Sequence, residues 1–224
     1  MPPVRVAPSI LSADFARLGA QVDEVVQAGA TVIHFDVMDG HFVPPLTVGP
    51  AVLASLREHV GDALDIDVHL MVERPERHVA EFAKAGATGI TVHAEATPHV
   101  HYAIGGVRDA GCRAGLAVNP GTPPAVFGQL EVDLALCMTV NPGWGGQPFI
   151  ATSPAKLRAI APLLAAGTIL EVDGGIDART AGDVVAAGAT LLVAGSAVFG
   201  ADDPAAAFRS ISDAAAAAAP PSGP

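Results

Sequence analysis

In TVIHFDVM, residues 31–38, a His and an Asp sit inside an otherwise apolar, largely β-branched run. Val, Ile and Phe favour an extended chain. Side chains on a strand alternate between faces, so His34, Asp36 and Met38 share one face and Ile33, Phe35 and Val37 the other. A strand apolar on both sides is buried on both sides, which is the habit of parallel sheets covered by helices. The stretch therefore reads as a buried parallel strand that carries chemistry towards its C-terminal end.

Working outward, the same grammar repeats. Further candidate strands are VRVAPSI (4–10), LDIDVHLM (64–71), GITVHA (89–94), RAGLAVN (113–119), LALCMTV (134–140), TILEVDG (168–174) and TLLVAGS (190–196). Ala-rich amphipathic segments lie between most of them, and several end in Ala-Gly, where Gly supplies the left-handed turn that closes a helix. About eight β-then-α units in 224 residues predict the α/β class and a single (β/α)8 TIM barrel. The competing open, doubly wound sheet usually shows GxGxxG after its first strand, and here that position reads PSILSADF (8–15). The barrel is expected over residues 1–213. The Ala/Pro-rich end, 214–224, is expected to be a flexible tail.

Composition narrows the functional classes. Half the residues are hydrophobic, the formal net charge is −11, and no basic stripe exists, which argues against nucleic acid as a partner. No apolar run approaches the roughly 20 residues that span a bilayer, and the N-terminus lacks the pattern of a secretory signal. Cys112 and Cys137 are isolated, as expected of thiols in a reducing cytoplasm.

In a barrel of this kind the active site lies at the C-terminal ends of the strands. Ser9, His34, Asp36, His69, His93, Asn119, Asn141 and Asp173 all fall there. Asp67, His69 and Met71 share a face, as do Glu171 and Asp173. Two His and two Asp from three strands can meet around one point. Imidazole nitrogen with carboxylate oxygen suits Zn²⁺, Fe²⁺, Mn²⁺ or Co²⁺ better than Ca²⁺ or Mg²⁺. A hydrogen-bonded polar plug without metal is the alternative.

Met38, Met71 and Met138 stand at strand ends in phase with these polar residues, and predict a polarizable apolar lining. Glycine-rich loops follow the last three strands: NPGWGGQPF (141–149), DGGID (173–177) and AGSAVF (194–199). Their backbone N–H groups can cradle a phosphate without a nearby Lys or Arg. The only two lysines, Lys84 and Lys156, fall in helical patterns, so an amine for Schiff-base chemistry is missing from the strand ends. Two carboxylates, a cation and a phosphate cradle suit proton abstraction beside a carbonyl through an ene-diolate. Asp36 and Asp173 come from strands on opposite sides of the mouth, which favours inversion of configuration.

The motifs carry a resemblance. PSILSADF (8–15), HFDVMDGHFVP (34–44), DVHLMV (67–72), TVHAEAT (91–97), NPGTP (119–123), MTVNPGWGGQPFI (138–150), EVDGGI (171–176) and AGSAVF (194–199) together resemble the ribulose-phosphate 3-epimerase family almost end to end. The resemblance implies interconversion of D-ribulose 5-phosphate and D-xylulose 5-phosphate, with a hexulose 6-phosphate epimerase or a non-catalytic sugar-phosphate binder as alternatives. It implies one divalent metal on His34, Asp36, His69 and Asp173, with Asp36 and Asp173 as the catalytic acid–base pair. It implies substrate contacts from Ser9 and His69, a loop of Gly143, Trp144, Gly145 and Gly146 over the substrate, and phosphate held by Gly174, Gly175, Gly195 and Ser196. Met38, Met71 and Met138 would pack against the ene-diolate. A homo-oligomer is the usual state of such proteins. Pro45, Trp144 and Gly121 depart from the Asn, Phe and Ala common at those places. Asp39, out of phase with Asp36, is expected to shape its loop.

Overall fold

The computed structural model describes residues 3–219. Eight parallel strands form one sheet in the order β1-β8-β7-β6-β5-β4-β3-β2. They are β1 (Arg5–Pro8), β2 (Val32–Met38), β3 (Asp65–Met71), β4 (Gly89–His93), β5 (Arg113–Val118), β6 (Leu134–Met138), β7 (Ile169–Asp173) and β8 (Leu191–Ala194). Each lies inside its predicted segment. The predicted ends were long because the last residues of several segments turn outward into the loops of the mouth. The barrel is nearly closed: β1 and β2 meet through a single parallel bridge, Ser9 to His34.

The helices are α1 (Leu18–Gln27), α2 (Pro50–Val60), α3 (Val79–Lys84), α4 (Val100–Asp109), α5 (Ser153–Ile160), α6 (Ala181–Ala186), α7 (Ser196–Phe199) and α8 (Pro204–Ala218). Between β5 and β6 the chain makes only a 3₁₀ segment, Pro124–Gln129. Pro120, Pro123 and Pro124 with Gly121 and Gly128 explain this, since proline lacks the N–H and glycine costs backbone entropy in a helix.

One expected boundary is corrected. The tail was expected from residue 214, but α8 continues through Ala218, with Ala215 buried and Ala214 and Ala218 packed on the core. Alanine is the best helix former, and its small side chain lets α8 lie close against α6. Residues 220–224 lie outside the described residues.

The core divides in two. Ile33, Phe35, Val37, Ile66, Val68 and Leu70 point outward and pack with the helices. Inside the barrel, Ala7, Ala117, Leu134, Leu136, Leu191 and Val193 fill the side formed by β1, β5, β6 and β8, with Val32 joining them from the start of β2. The rest of the interior is polar: His34, Asp36, Asp67, His69, Thr91, His93 and Glu171 are all buried. Room for them comes from missing side chains on β5. A Cβ on Gly115 would lie 2.0 Å from Thr91 Oγ1 and 3.0 Å from its Cα.

Candidate active site

Strand register brings the polar residues together. β2 and β3 pair in phase, with His34 opposite Asp67 and Asp36 opposite His69. Asp173 ends β7, which lies three strand steps from β2 by way of β8 and β1. Asp36 and Asp173 therefore approach from well-separated parts of the wall. His34, Asp36, His69 and Asp173 each offer one ligand atom, and those four atoms lie within 4.8 Å of one another.

The contacts are specific. Asp36 Oδ1 is 3.3 Å from His34 Nε2 and 3.1 Å from His69 Nδ1. The two ring nitrogens are 3.4 Å apart. Asp173 Oδ2 stands 3.8 Å from His69 Nδ1. The other Asp36 oxygen accepts a hydrogen bond from Ser9 Oγ at 2.5 Å, which pins the barrel seam at this carboxylate. Thr47 Oγ1 donates to the carbonyl of Asp36 and accepts from Met38 N–H, clamping the end of β2. Thr139 Oγ1 donates to the carbonyl of Asp173 and fixes the end of β7.

Each imidazole has a partner on its far nitrogen. Asp67 Oδ2 lies 2.9 Å from His34 Nδ1, with Glu171 Oε1 at 3.4 Å. His69 Nε2 lies 2.8 Å from His93 Nε2. Neither oxygen of Glu171 has a well-formed hydrogen bond, and its side chain is fully buried. Burial first, and then the Asp67 charge, raise its pKa well above the usual carboxylate range, so it is held neutral.

The two mouth carboxyls are driven apart. Burial works against ionisation of Asp36, but the charge on His34 and its hydrogen bond outweigh it and hold the carboxyl well below its usual range. Burial, then the neighbouring Asp36 charge, push Asp173 up to about 7. Burial depresses His69 to about 4. For His34, burial opposes the charge, yet Asp36, Asp67 and Glu171 raise its pKa well above the ordinary imidazole value. Asp36 and Asp67, on either side of the His34 ring, therefore favour a positive charge there. Either a proton on His34 or a metal cation supplies it. Two imidazole nitrogens and two carboxylate oxygens converging in a buried site suit a first-row transition metal.

Above this floor lies a cavity of about 540 Å³, within the range of small-molecule sites. Ser9, Asp36, Asp173, Met38, Met71 and Met138 line it, together with Gly143, Trp144, Gly145, Gly146, Gly174, Gly175, Gly195 and Ser196. His34 and His69 are fully buried beneath the floor, and do not form its wall. Gly174 and Gly175 carry φ values of 120° and 66°. A Cβ on Gly175 would lie 2.7 Å from Phe149 N, so both space and backbone angle call for glycine. Gln147 Nε2 donates to the carbonyls of Asn141 and Trp144 and ties the base of that loop. Trp144 itself is half exposed at the rim.

Four features escaped the sequence reading. Asp67 and Glu171 were placed on the right faces, but not in the candidate set. His93 counts among the strand-end residues but has no role assigned by the sequence, because its contact with His69 depends on the β3–β4 register. Arg179 lines the cavity, though the phosphate loops appeared to have no cation nearby. Asp39 behaves as expected of a loop former: Oδ1 accepts from the backbone N–H of His41 and Phe42, and Oδ2 from that of Glu73. The cavity wall contains no lysine. Lys156 instead donates to the carbonyls of Asn119 and Pro120.

The sequence profile of the ribulose-phosphate 3 epimerase family matches residues 5–199. The chain belongs to this family. It is 49% identical over 206 residues to a ribulose-phosphate 3-epimerase of Bacillus subtilis (strain 168), covering 89% of this chain and 94% of the relative. It is 49% identical over 199 residues to the Escherichia coli (strain K12) protein of the same name, covering 87% and 88%. Among solved structures, 3-hexulose-6-phosphate synthase from Salmonella typhimurium superposes with a TM-score of 0.73 at 18% identity, over 96% of this chain and 99% of that one. Orotidine 5'-phosphate decarboxylase from Pyrococcus horikoshii OT3 gives 0.66 at 18% identity, over 94% and 98%. At such identities these likenesses speak for the barrel alone. No helix among the described residues is long and apolar enough to cross a membrane.

Proposed function

We propose that the protein is a metal-dependent epimerase that inverts C3 of a phosphorylated ketose, with D-ribulose 5-phosphate and D-xylulose 5-phosphate as its pair. The observation that carries this is the pair of carboxyls, Asp36 and Asp173, brought from well-separated strands to one cavity floor together with His34 and His69. Asp36, kept ionised, is the base. Asp173, pushed up to about 7, is the acid. Asp36 removes the proton from C3, the C–H electrons move into the C2–C3 bond, and the C2 oxygen takes the charge. Asp173 delivers a proton to the opposite face of C3. In the reverse direction the roles exchange.

His34, Asp36, His69 and Asp173 would hold one divalent cation, Zn²⁺, Fe²⁺, Mn²⁺ or Co²⁺. When bound, it supplies Lewis-acid stabilisation of the charge that develops on the substrate oxygens. Ser9 orients Asp36 through the 2.5 Å hydrogen bond. Met38, Met71 and Met138, all nearly buried, keep the reacting carbon in an apolar, water-poor setting. Backbone amides of Gly174, Gly175, Gly195 and Ser196 take the phosphate. The Gly143–Gly146 loop with Trp144 covers the sugar. The same reading makes the protein a cytoplasmic homo-oligomer. Free, buried Cys112 and Cys137 and the exposed apolar surfaces of Phe15 and Leu46 support that part.

The test compares turnover of the pentulose 5-phosphates with that of a hexulose 6-phosphate, in metal-depleted and metal-restored protein. Faster epimerisation of the pentulose, restored by the cation, is expected. A preference for the hexulose would reassign the substrate. Sugar-phosphate binding without turnover would make the protein a binder.

A further inference from the structure

His93 and Glu95 have no place in the proton transfer, yet they form the most completely specified chain of contacts leading into the site. We propose that they are positioning residues for the metal centre, locking His69 in the tautomer that presents its Nδ1 lone pair to the cation. The inference rests on the metal reading above and adds the groups that impose it.

The argument is a count of protons. His93 is fully buried at the end of β4, and its ring stacks on that of His69 with centroids 5.0 Å apart and planes 24° apart. Phe42 packs on His93 as well, at 4.8 Å, so the ring cannot swing away. The two Nε2 atoms are 2.8 Å apart, a distance that requires one proton between them. Which ring owns it is decided further out. His93 Nδ1 lies 3.2 Å from Glu95 Oε2. Glu95 Oε1 accepts from the backbone N–H of Asn119, at 2.8 Å, and from the Thr122 hydroxyl. Two donors already fix Oε1 as an acceptor, and an ionised carboxylate has no proton of its own to offer from Oε2.

His93 must then carry its proton on Nδ1, where it donates to Glu95. Its Nε2 is left as an acceptor, so the shared proton belongs to His69 Nε2. His69 Nδ1 therefore has a free lone pair, and it points at Asp36 Oδ1, His34 Nε2 and Asp173 Oδ2. A lone pair aimed at carboxylate oxygens is unfavourable unless a cation lies between them. His34 is fixed more directly, because Asp67 accepts from its Nδ1 and frees Nε2 for the same point. The two imidazoles thus have different supports. Asp67 gives His34 a charged partner directly, whereas His69 has the His93 ring interposed before the carboxylate of Glu95. Such outer partners orient a metal-bound histidine and raise its basicity.

The chain ends in the loop after β5, where Lys156 holds the carbonyls of Asn119 and Pro120. A purely structural Glu95 would serve only to anchor that loop, and the test separates the two roles. Dissociation constants for Zn²⁺ and Co²⁺ are measured by chelator competition, with the visible spectrum of the Co²⁺ form as a second readout, in wild type, His93→Phe, His93→Gln, Glu95→Gln and Thr122→Val. Phe keeps the stacking and removes both nitrogens. Gln restores an acceptor for His69 Nε2–H.

His93→Phe is expected to weaken metal binding by about 10–100-fold and to shift the Co²⁺ spectrum, and His93→Gln to recover part of the loss. Glu95→Gln, at a partly exposed position, is expected to weaken binding by about tenfold, and it carries the test if His93→Phe does not fold. Thr122→Val removes one of the two donors to Glu95 Oε1 but keeps the carboxylate and its contact with His93, and is expected to leave the affinity within about threefold of wild type. Wild-type affinity in both His93→Phe and Glu95→Gln would overturn the inference alone. So would a loss in Thr122→Val as large as in His93→Phe. A wild-type protein that binds neither metal would overturn the metal reading and this inference together.

Discussion

Replacing Asp173 by Asn tests the division of labour between the two carboxyls. Asn has nearly the same shape, and the Asp173 side chain makes no hydrogen bond among the described residues: His69 Nδ1 stands 3.8 Å away. The fold should therefore be spared, and the loss should fall on chemistry. Asp173 sits at about 7 because burial and the Asp36 charge both disfavour its ionised form. A carboxyl near the working pH can give and take a proton there, and an amide cannot. General acid–base catalysis contributes about 10²–10⁴-fold, so kcat should fall by that factor. This corresponds to about 2.7–5.5 kcal/mol of transition-state stabilisation. KM should change far less, because the phosphate loops are untouched.

The assay is epimerisation at full metal occupancy, with metal content measured alongside, since Asn is a weaker ligand than Asp. A second readout is exchange of the C3 hydrogen in D2O. With Asp173 disabled, Asp36 still serves one face, so one epimer should exchange faster than it is converted. The other epimer should exchange slowly. Asp36→Asn should reverse the preference. A kcat within threefold of wild type at full metal occupancy, or equal exchange of both epimers in Asp173→Asn, would refute the two-carboxyl reasoning.

Three further outcomes follow from the structure. Gly115→Ala should destabilise the barrel by about 1–3 kcal/mol in urea unfolding, because its Cβ would collide with Thr91; adding Thr91→Ala should recover part of this, and strict additivity would count against the clash. Among the described residues Arg179 is the only Lys or Arg in the cavity wall, and its Nε and Nη2 both donate to Asp177 Oδ2 at 3.0 and 2.7 Å; Arg179→Ala should raise KM for the phosphorylated substrate several-fold in low salt, with little change in kcat, and an unchanged KM would show that backbone amides alone hold the phosphate. Glu95 is depressed from 4.5 to about 2, where burial opposes ionisation and the hydrogen bonds from His93 and Thr122 prevail. Its contribution is thus fully present above the unfolded value and lost as pH falls through the folded one. Allowing for its partial exposure, wild type should exceed Glu95→Gln by about 1–2 kcal/mol at pH 7, with the gap closing below pH 4.5; a gap independent of pH would show that the charge is not what stabilises.

Much of this protein is legible without coordinates, for a local reason. Alternation along a strand is set by the pleat, so TVIHFDVM alone shows that His34 and Asp36 face one way and Phe35 the other. Eight such runs separated by helical segments leave few topologies, and the barrel puts their C-terminal ends at one mouth. That His34, Asp36, His69 and Asp173 gather at the mouth with Met38, Met71 and Met138 follows from phase and position, whereas their choice over Asp67 and Glu171 as a ligand set came from the family resemblance. The chain of Glu95, His93 and His69 does not follow from phase, because face says nothing of height. That His93 reaches His69, and that Ser9 rather than another residue pins Asp36, depends on register between strands and on where the seam closes. The protonation of the two catalytic carboxyls is likewise a tertiary property. Asp36 and Asp173 are the same residue type at equivalent strand ends, and only burial and the neighbours that folding brings within 4 Å make one a base and the other an acid.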